Sequence, residues 1–391
     1  MTDFTGSMLF KPLAPIIRAP AAIIFIAAIP LLLSACAFFE SSTKPKPAEL
    51  QPVNGFVSAK QAWVARIGSV NFPLEVSQIE GRIQVAGSNG AVASLDARTG
   101  AEIWRTNIGS SIAAGVGSDG KISSVVTVGN DVVALLDGRE IWRSKLGAEV
   151  YTPPLVAGGR VFVLAADRST HAFDGQTGKK LWSQQRPTEP LVLKQAGVLL
   201  AVNDTLVVGL AGRLVGLNPG NGSVRWESAI ASPRGINDVE RLVDLVGGVS
   251  RDGDVVCARA FQTNVGCVNT QRGNLLWTVP ANGAQGVRGD DRFLFGTESD
   301  GTVQAWVRAD GARAWKTDAL RYRGLTTPVV VGRSIAVGDM SGILHLLARN
   351  DGALLNRITT DGSAIAAAPA LVNNTLIAVT RNGGVYGFVP E

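Results

Sequence analysis

Residues that carry chemistry are scarce in this chain. It has two histidines, His171 and His345, and three cysteines, Cys36, Cys257 and Cys267. The histidines lie in separate repeats without acidic or cysteine partners at ligand spacing, so no metal centre is expected. No P-loop, nucleophile elbow or zinc spacing occurs, and neither a catalytic residue nor a cofactor is implied. Lysines and arginines form no run and aromatics do not interleave with them, which leaves nucleic-acid binding without a footprint. The net charge of +5 is mild, and removal of residues 1–35 would take it to about +4. The apolar run from Ala21 to Leu33 is broken by Pro30 and falls short of the ~20 residues of a comfortable span.

What the chain does have is glycine, 45 residues of it, and a period. Seven glycines are followed four positions later by tryptophan, or once by asparagine: Gly100/Trp104, Gly138/Trp142, Gly178/Trp182, Gly222/Trp226, Gly273/Trp277, Gly311/Trp315 and Gly352/Asn356. Successive members are 38, 40, 44, 51, 38 and 41 residues apart. Such a period marks a small unit that must stack on copies of itself to bury its apolar face. Within the unit, alternating apolar residues flank a tight turn at Ser88-Asn89-Gly90, and a second turn at Ala97-Arg98-Thr99-Gly100 leads into the tryptophan strand. An upstream strand, as in Pro153-Pro154-Leu155-Val156, completes about four antiparallel strands in about 40 residues, the plan of a propeller blade. Asp96, Asp174 and Asn218 recur eight residues before a tryptophan, and recurrence favours a turn-capping role.

The ends count the blades. The last unit, Pro369 to Phe388, lacks its tryptophan strand, while Gln61-Ala62-Trp63-Val64 is such a strand with no unit before it. The sequence therefore predicts an all-β, eight-bladed β-propeller over 58–391, closed by the N-terminal strand completing the C-terminal blade. Closure removes two sheet edges. Seven blades and one stray strand is the competing count.

Residues 1–35 read as a lipoprotein signal peptide: Lys11 and Arg18, an apolar core, then Leu33-Ser34-Ala35-Cys36, with Cys36 the expected lipidation site. An ordinary secretory signal with a chance cysteine is the alternative. Residues 36–57 read as a flexible tether, polar and proline-bearing. Cys257 and Cys267 lie symmetrically about Gln262 in one hairpin and form either a disulfide or two buried thiols.

The segments Leu95-Asp96-Ala97-Arg98-Thr99-Gly100-Ala101-Glu102-Ile103-Trp104 and Phe173-Asp174-Gly175-Gln176-Thr177-Gly178-Lys179-Lys180-Leu181-Trp182 resemble the tryptophan-docking repeat of quinoprotein propellers. The chain has no adjacent cysteine pair of the kind the quinone dehydrogenases carry. With its lipobox, short tether and single ring, it resembles the BamB family of β-barrel assembly lipoproteins instead. That resemblance implies a non-enzymatic scaffold on the periplasmic face of the bacterial outer membrane, held by lipid, docking a periplasmic POTRA domain of BamA within the BAM complex. Unfolded outer-membrane proteins are a secondary expected partner.

The resemblance also implies sites. Leu191-Val192-Leu193-Lys194 matches the family's leucine-rich contact segment, with lysine where arginine is common. Arg241-Leu242-Val243-Asp244-Leu245-Val246 matches its Arg-Leu-x-Asp-x-Asp segment, with Val246 in place of the second aspartate. The interval from Trp226 to Trp277, the longest, contains the second segment, as an inserted binding loop would. Leu191 and Leu193 are either exposed anchors with Lys194 and Asp244 as orienting charges, or inward strand residues; Arg241 is counted with them among the expected partner-binding residues. A quinone-dependent dehydrogenase-like propeller and a glycan- or peptidoglycan-binding lipoprotein are the alternatives in other functional classes.

Overall fold

The computed structural model describes residues 45–53, 58–186, 191–234, 236–238 and 240–390. The chain divides into two units, 1–46 and 47–391. Cys36, the apolar leader and much of the expected tether fall outside the described residues.

Among the described residues there is no helix; the second unit is eight four-stranded antiparallel sheets. Blade 1 holds Ser77–Ile79, Arg82–Ala86, Ala91–Asp96 and Glu102–Asn107, in that order from inside to outside. Blades 2 to 7 repeat the plan over 112–145, 155–184, 199–229, 245–280, 287–317 and 329–359. Blade 8 is Ala370–Val372, Thr375–Val379 and Gly384–Pro390, with Ala59–Arg66 as its outer strand. That strand runs antiparallel to the C-terminal one, from Ala59 opposite Pro390 to Arg66 opposite Gly384. The ring is eight-bladed and closed as the repeat count requires.

The middle strands of each blade are the driest. Arg82–Ala86 and Ala91–Asp96 are buried at nearly every position, because both sheet faces meet a neighbouring blade. This explains why their apolar pattern is nearly continuous rather than strictly alternating.

The recurrent tryptophan works between blades. Each lies opposite a residue next to a β-bulge, as Trp104 does opposite Ser94 and Trp142 opposite Ala134, and its ring covers the turn glycine of the following blade. Trp63 covers Gly100, Trp104 covers Gly138, and the series continues to Trp315 over Gly352. The indole N–H of Trp63, Trp142, Trp182, Trp277 and Trp315 donates to a carbonyl in that same turn, at 2.8–3.1 Å. Asn356 breaks the series for a topological reason. It is in blade 7, and blade 8 has no turn between its third and fourth strands because these come from opposite ends of the chain. There is no glycine there for an indole to cover. The recurrent aspartates cap turns as their repetition suggests: Asp96 Oδ1 accepts from the Arg98 and Thr99 amides and the Thr99 hydroxyl, which holds its carboxyl below the ordinary range.

Closure can be tested at one atom. A Cβ on Gly100 would lie 2.5 Å from the Trp63 ring, at a φ of 70°. Gly109 has the same φ of 70° and nothing within 4 Å. Gly109→Ala is expected to cost about 1–2 kcal/mol for the left-handed backbone alone. Gly100→Ala adds an overpacking cost of about 1–3 kcal/mol. Urea midpoints of the two variants separate the terms, and equal midpoints would mean that Trp63 does not hold the seam.

Candidate functional site

In a four-stranded meander, the turn between strands two and three and the connection to the next blade emerge on the same face of the ring. Four such segments from blades 2 to 5 converge on that face. The connection from blade 2 to 3 brings Tyr151 and Thr152, and the inner turn of blade 3 brings Arg168. The connection from blade 3 to 4 brings 191–198, and that from blade 4 to 5 ends in Asp244. Together they line a shallow cleft.

Asp244 is the hub. Its Oδ1 accepts from Arg168 Nη2 at 2.9 Å and its Oδ2 from the Leu193 amide at 3.0 Å. Arg168 Nη2 also donates to the Leu191 carbonyl at 3.0 Å. The Arg168 side chain is 7% exposed and that of Asp244 16%. The two connections meet again where the Gly247 amide donates to the Ala196 carbonyl and Gly197 bridges Val246. Thr152 Oγ1 accepts from the Gly197 amide at 2.9 Å. A carboxylate and a guanidinium thus tie the leucine-bearing segment to its neighbours through backbone as well as side-chain groups.

The leucines lie outside the strands, since blade 3 ends at Gln184 and blade 4 starts at Leu199. Leu191 is 38% exposed and Leu193 is half-buried at the cleft. Lys194 is exposed, its Nζ 5.5 Å from the centre of the Tyr151 ring. Tyr151 donates its hydroxyl to Glu149, and that hydrogen bond, reinforced by burial, pushes the phenol up to about 12. Arg241 is half-buried in the turn before Asp244, its amide donating to the Asn237 carbonyl at 3.1 Å. Five expected residues therefore share one face. Asp244 differs from expectation in orientation: it is turned inward onto Arg168 and Leu193 rather than standing free as an orienting charge. Val246 is 2% exposed and sits in the first strand of blade 5, where a carboxylate would have been buried. Cys36 lies outside the described residues. Cys257 and Cys267 face each other across adjacent strands of blade 5 and are bonded, away from the cleft lining.

Arg168 is the residue that sequence reasoning missed. Strand registers place it at the same turn position as Gly90, Gly301, Gly342 and Gly383 of blades 1, 6, 7 and 8. Those glycines have φ of 73–89°, and Arg168 takes the same left-handed backbone at 62°. An arginine there is costly. The ion pair to Asp244 is what that strain supports. Blade 2 carries Asn130 at the same position, at φ 65°, and asparagine tolerates that backbone; the signal in blade 3 was an arginine where four other blades carry glycine.

Among the described residues no group of three or more His, Cys, Asp or Glu side chains could hold a metal ion. His171 Nε2 contacts Ser169 Oγ at 2.7 Å, and burial, aided by Lys180, pushes the imidazole below its ordinary range. Neither histidine lines the cleft.

A family model described as outer membrane protein assembly factor BamB matches residues 88–317. A Burkholderia pseudomallei protein named outer membrane protein assembly factor BamB is 36% identical over 382 residues, covering 96% of this chain and 100% of that protein. A protein of the same name from Bordetella pertussis is 34% identical over 91% of this chain and 93% of its own. Among solved structures, BamB from Moraxella catarrhalis superposes with a TM-score of 0.78 at 23% identity, over 85% of this chain and 100% of that one. Quinohemoprotein alcohol dehydrogenase from Comamonas testosteroni superposes at 0.65 and 14% identity, over 88% and 78%. These two likenesses speak to the fold alone.

Proposed function

Because this chain belongs to the BamB family of outer membrane protein assembly factors, we propose that it is a lipid-anchored scaffold of the β-barrel assembly machinery whose blade 3 to 5 face docks a periplasmic POTRA domain of BamA. The observation that carries this reading is the Arg168–Asp244 clamp. It gathers the two segments picked out by the family resemblance onto one cleft and leaves Leu191 projecting beside it. An exposed leucine with a half-buried one, rimmed by Lys194 and Arg241, is an apolar anchor in a polar rim. The partner that fits is a folded domain with an apolar pocket and a carboxylate near Lys194.

The role is positional. The outer strand of each blade is a short edge of five to eight residues, so strand addition by unfolded clients is secondary to face docking. The ring keeps the cleft rigid, and the lipid expected on Cys36 keeps the ring at the inner leaflet of the outer membrane. Likeness to a quinohemoprotein dehydrogenase extends to the fold, and the sequence has no adjacent cysteine pair.

Capture of BamA tests the assignment. Leu191→Ala/Leu193→Ala removes the anchors without touching the clamp's side chains. It is expected to weaken capture about tenfold or more, the ~1.4 kcal/mol or larger effect of a central apolar contact. Undiminished capture by the folded double variant would remove this face from the docking role.

A further inference from the structure

One part of the segment read as a tether is fastened to the ring. The Ala48 amide donates to the Arg321 carbonyl at 2.9 Å, and the Ala48 carbonyl accepts from Arg323 Nη1 at 3.1 Å. Leu50 packs on the apolar cluster of blades 6 and 7 that holds Trp315, Leu320 and Leu325. Arg321 and Arg323 lie in the connection from blade 6 to 7. By strand topology that connection emerges on the same face as the docking cleft, two blades beyond Asp244.

The receiving side is built, not incidental. Arg323 is held from behind by Asp339, whose Oδ2 accepts from its Nε at 2.8 Å and its Nη2 at 2.7 Å. The same oxygen lies 3.0 Å from His345 Nε2, and Oδ1 accepts from the Ser341 and Ile343 amides. Asp339 and His345 are fully buried. Burial pushes His345 below its ordinary range against the pull of Asp339, with Arg323 and Arg357 adding to the fall. A neutral ring therefore donates through Nε2–H. Two buried side chains outside the cleft lining, Asp339 and His345, aim the Arg323 guanidinium at one backbone carbonyl of the N-terminal segment.

We propose that residues 47–50 are a latch that makes the docking face, at the junction of blades 6 and 7, the point where the ring takes up its membrane anchor. The anchoring itself rests on the function proposed above. Without the latch, the chain from Cys36 to the first strand at Ala59 is 23 residues, a reach of at most about 80 Å. With it, only twelve residues separate Cys36 from Ala48, about 40 Å. The latch halves the slack and moves the take-off point from the rim strand of blade 8 to the cleft-bearing face. A tethered scaffold gains effective concentration at its partner when its linker matches the span it must cover.

Hydrogen exchange of the full-length protein tests the latch by itself. The Ala48 amide is expected to exchange at least tenfold more slowly than in an unstructured peptide. Leu50→Asp, which lies outside the blades, should return it to the free rate without changing protection in any strand. Arg323→Met should do the same if the ring tolerates it. Free-rate exchange of Ala48 in the wild type would overturn the latch, whatever the state of Cys36.

The orientation is tested on liposomes bearing a headgroup-labelled acceptor lipid, after mass measurement of the lipid on Cys36. A donor dye at exposed Arg234, on the cleft side, should transfer energy at least twofold more efficiently than one at exposed Lys179, on the opposite side. Leu50→Asp should bring that ratio towards one. An equal ratio in the lipidated wild type would overturn the proposed take-off point, whereas an unlipidated Cys36 would overturn the anchoring reading instead.

Discussion

Glu298→Ala is expected to destabilise the ring by about 3–5 kcal/mol, because it strands a buried arginine. Arg259 is in the second strand of blade 5 and its side chain is wholly buried. Its Nη1 and Nη2 both donate to Glu298 Oε1 at 3.0 Å, and the guanidinium lies 5.5 Å from the Trp306 ring centre. Glu298 is 12% exposed, so solvent screens the pair little. Burial pulls the guanidinium below its ordinary range, and the Glu298 charge opposes that pull. Glycine makes the room. A Cβ on Gly283 would fall 2.0 Å from Nη1, and one on Gly296 would fall 2.4 Å from Nη2.

The asymmetry of buried pairs supplies the control. Removing the carboxylate alone leaves an uncompensated charge, whereas Arg259→Met/Glu298→Leu removes both charges and keeps much of the volume. The double variant is expected within about 1–2 kcal/mol of the wild type, on either side. Urea unfolding followed by tryptophan fluorescence gives the three midpoints. A Glu298→Ala loss below about 1 kcal/mol would mean that Arg259 finds water or another acceptor.

The ring was legible in the chain because a glycine–tryptophan contact recurs at seven of the eight seams, each indole covering the glycine of the next blade. Trp63 and the truncated last unit also revealed closure, since an unpaired strand and an unfinished sheet are the same defect counted twice. Asn356 was visible as an exception, but its cause is topological: the blade it faces lacks the turn that an indole would cover. The docking face was half legible. Leu191, Leu193, Lys194, Arg241 and Asp244 came from resemblance, and their convergence needed the fold, because 51 residues separate Leu193 from Asp244. Arg168 is hidden from a reading that follows the outer glycine–tryptophan turn, because its signal is an absent glycine in the inner one. Ala48 and Arg323 are 275 residues apart and belong to no period. Nothing local in Pro47-Ala48-Glu49-Leu50 distinguishes a latch from a linker.

Arg168→Gly is expected to leave the ring intact and disable the docking face. The change gives blade 3 the residue that blades 1, 6, 7 and 8 carry at this turn, and relieves a left-handed non-glycine backbone worth about 1–2 kcal/mol. It also deletes the donor that joins Leu191 to Asp244. Global stability should change by less than about 1 kcal/mol, since the strain relieved and the pair lost offset each other. Exchange across 191–197 should rise, and BamA capture should fall about tenfold, ~1.4 kcal/mol.

Asp244→Ala should give a similar loss of capture by the opposite route, leaving Arg168 without its carboxylate and the Leu193 amide without its acceptor. If both act only by holding the segment, the double variant should lose little more than either single one, a coupling of about 1 kcal/mol or more. If Asp244 instead met the partner directly, Arg168→Gly would free it, and capture would be unchanged or stronger. Capture by the two single variants and the double therefore decides whether Asp244 touches the partner or only aims the leucines at it.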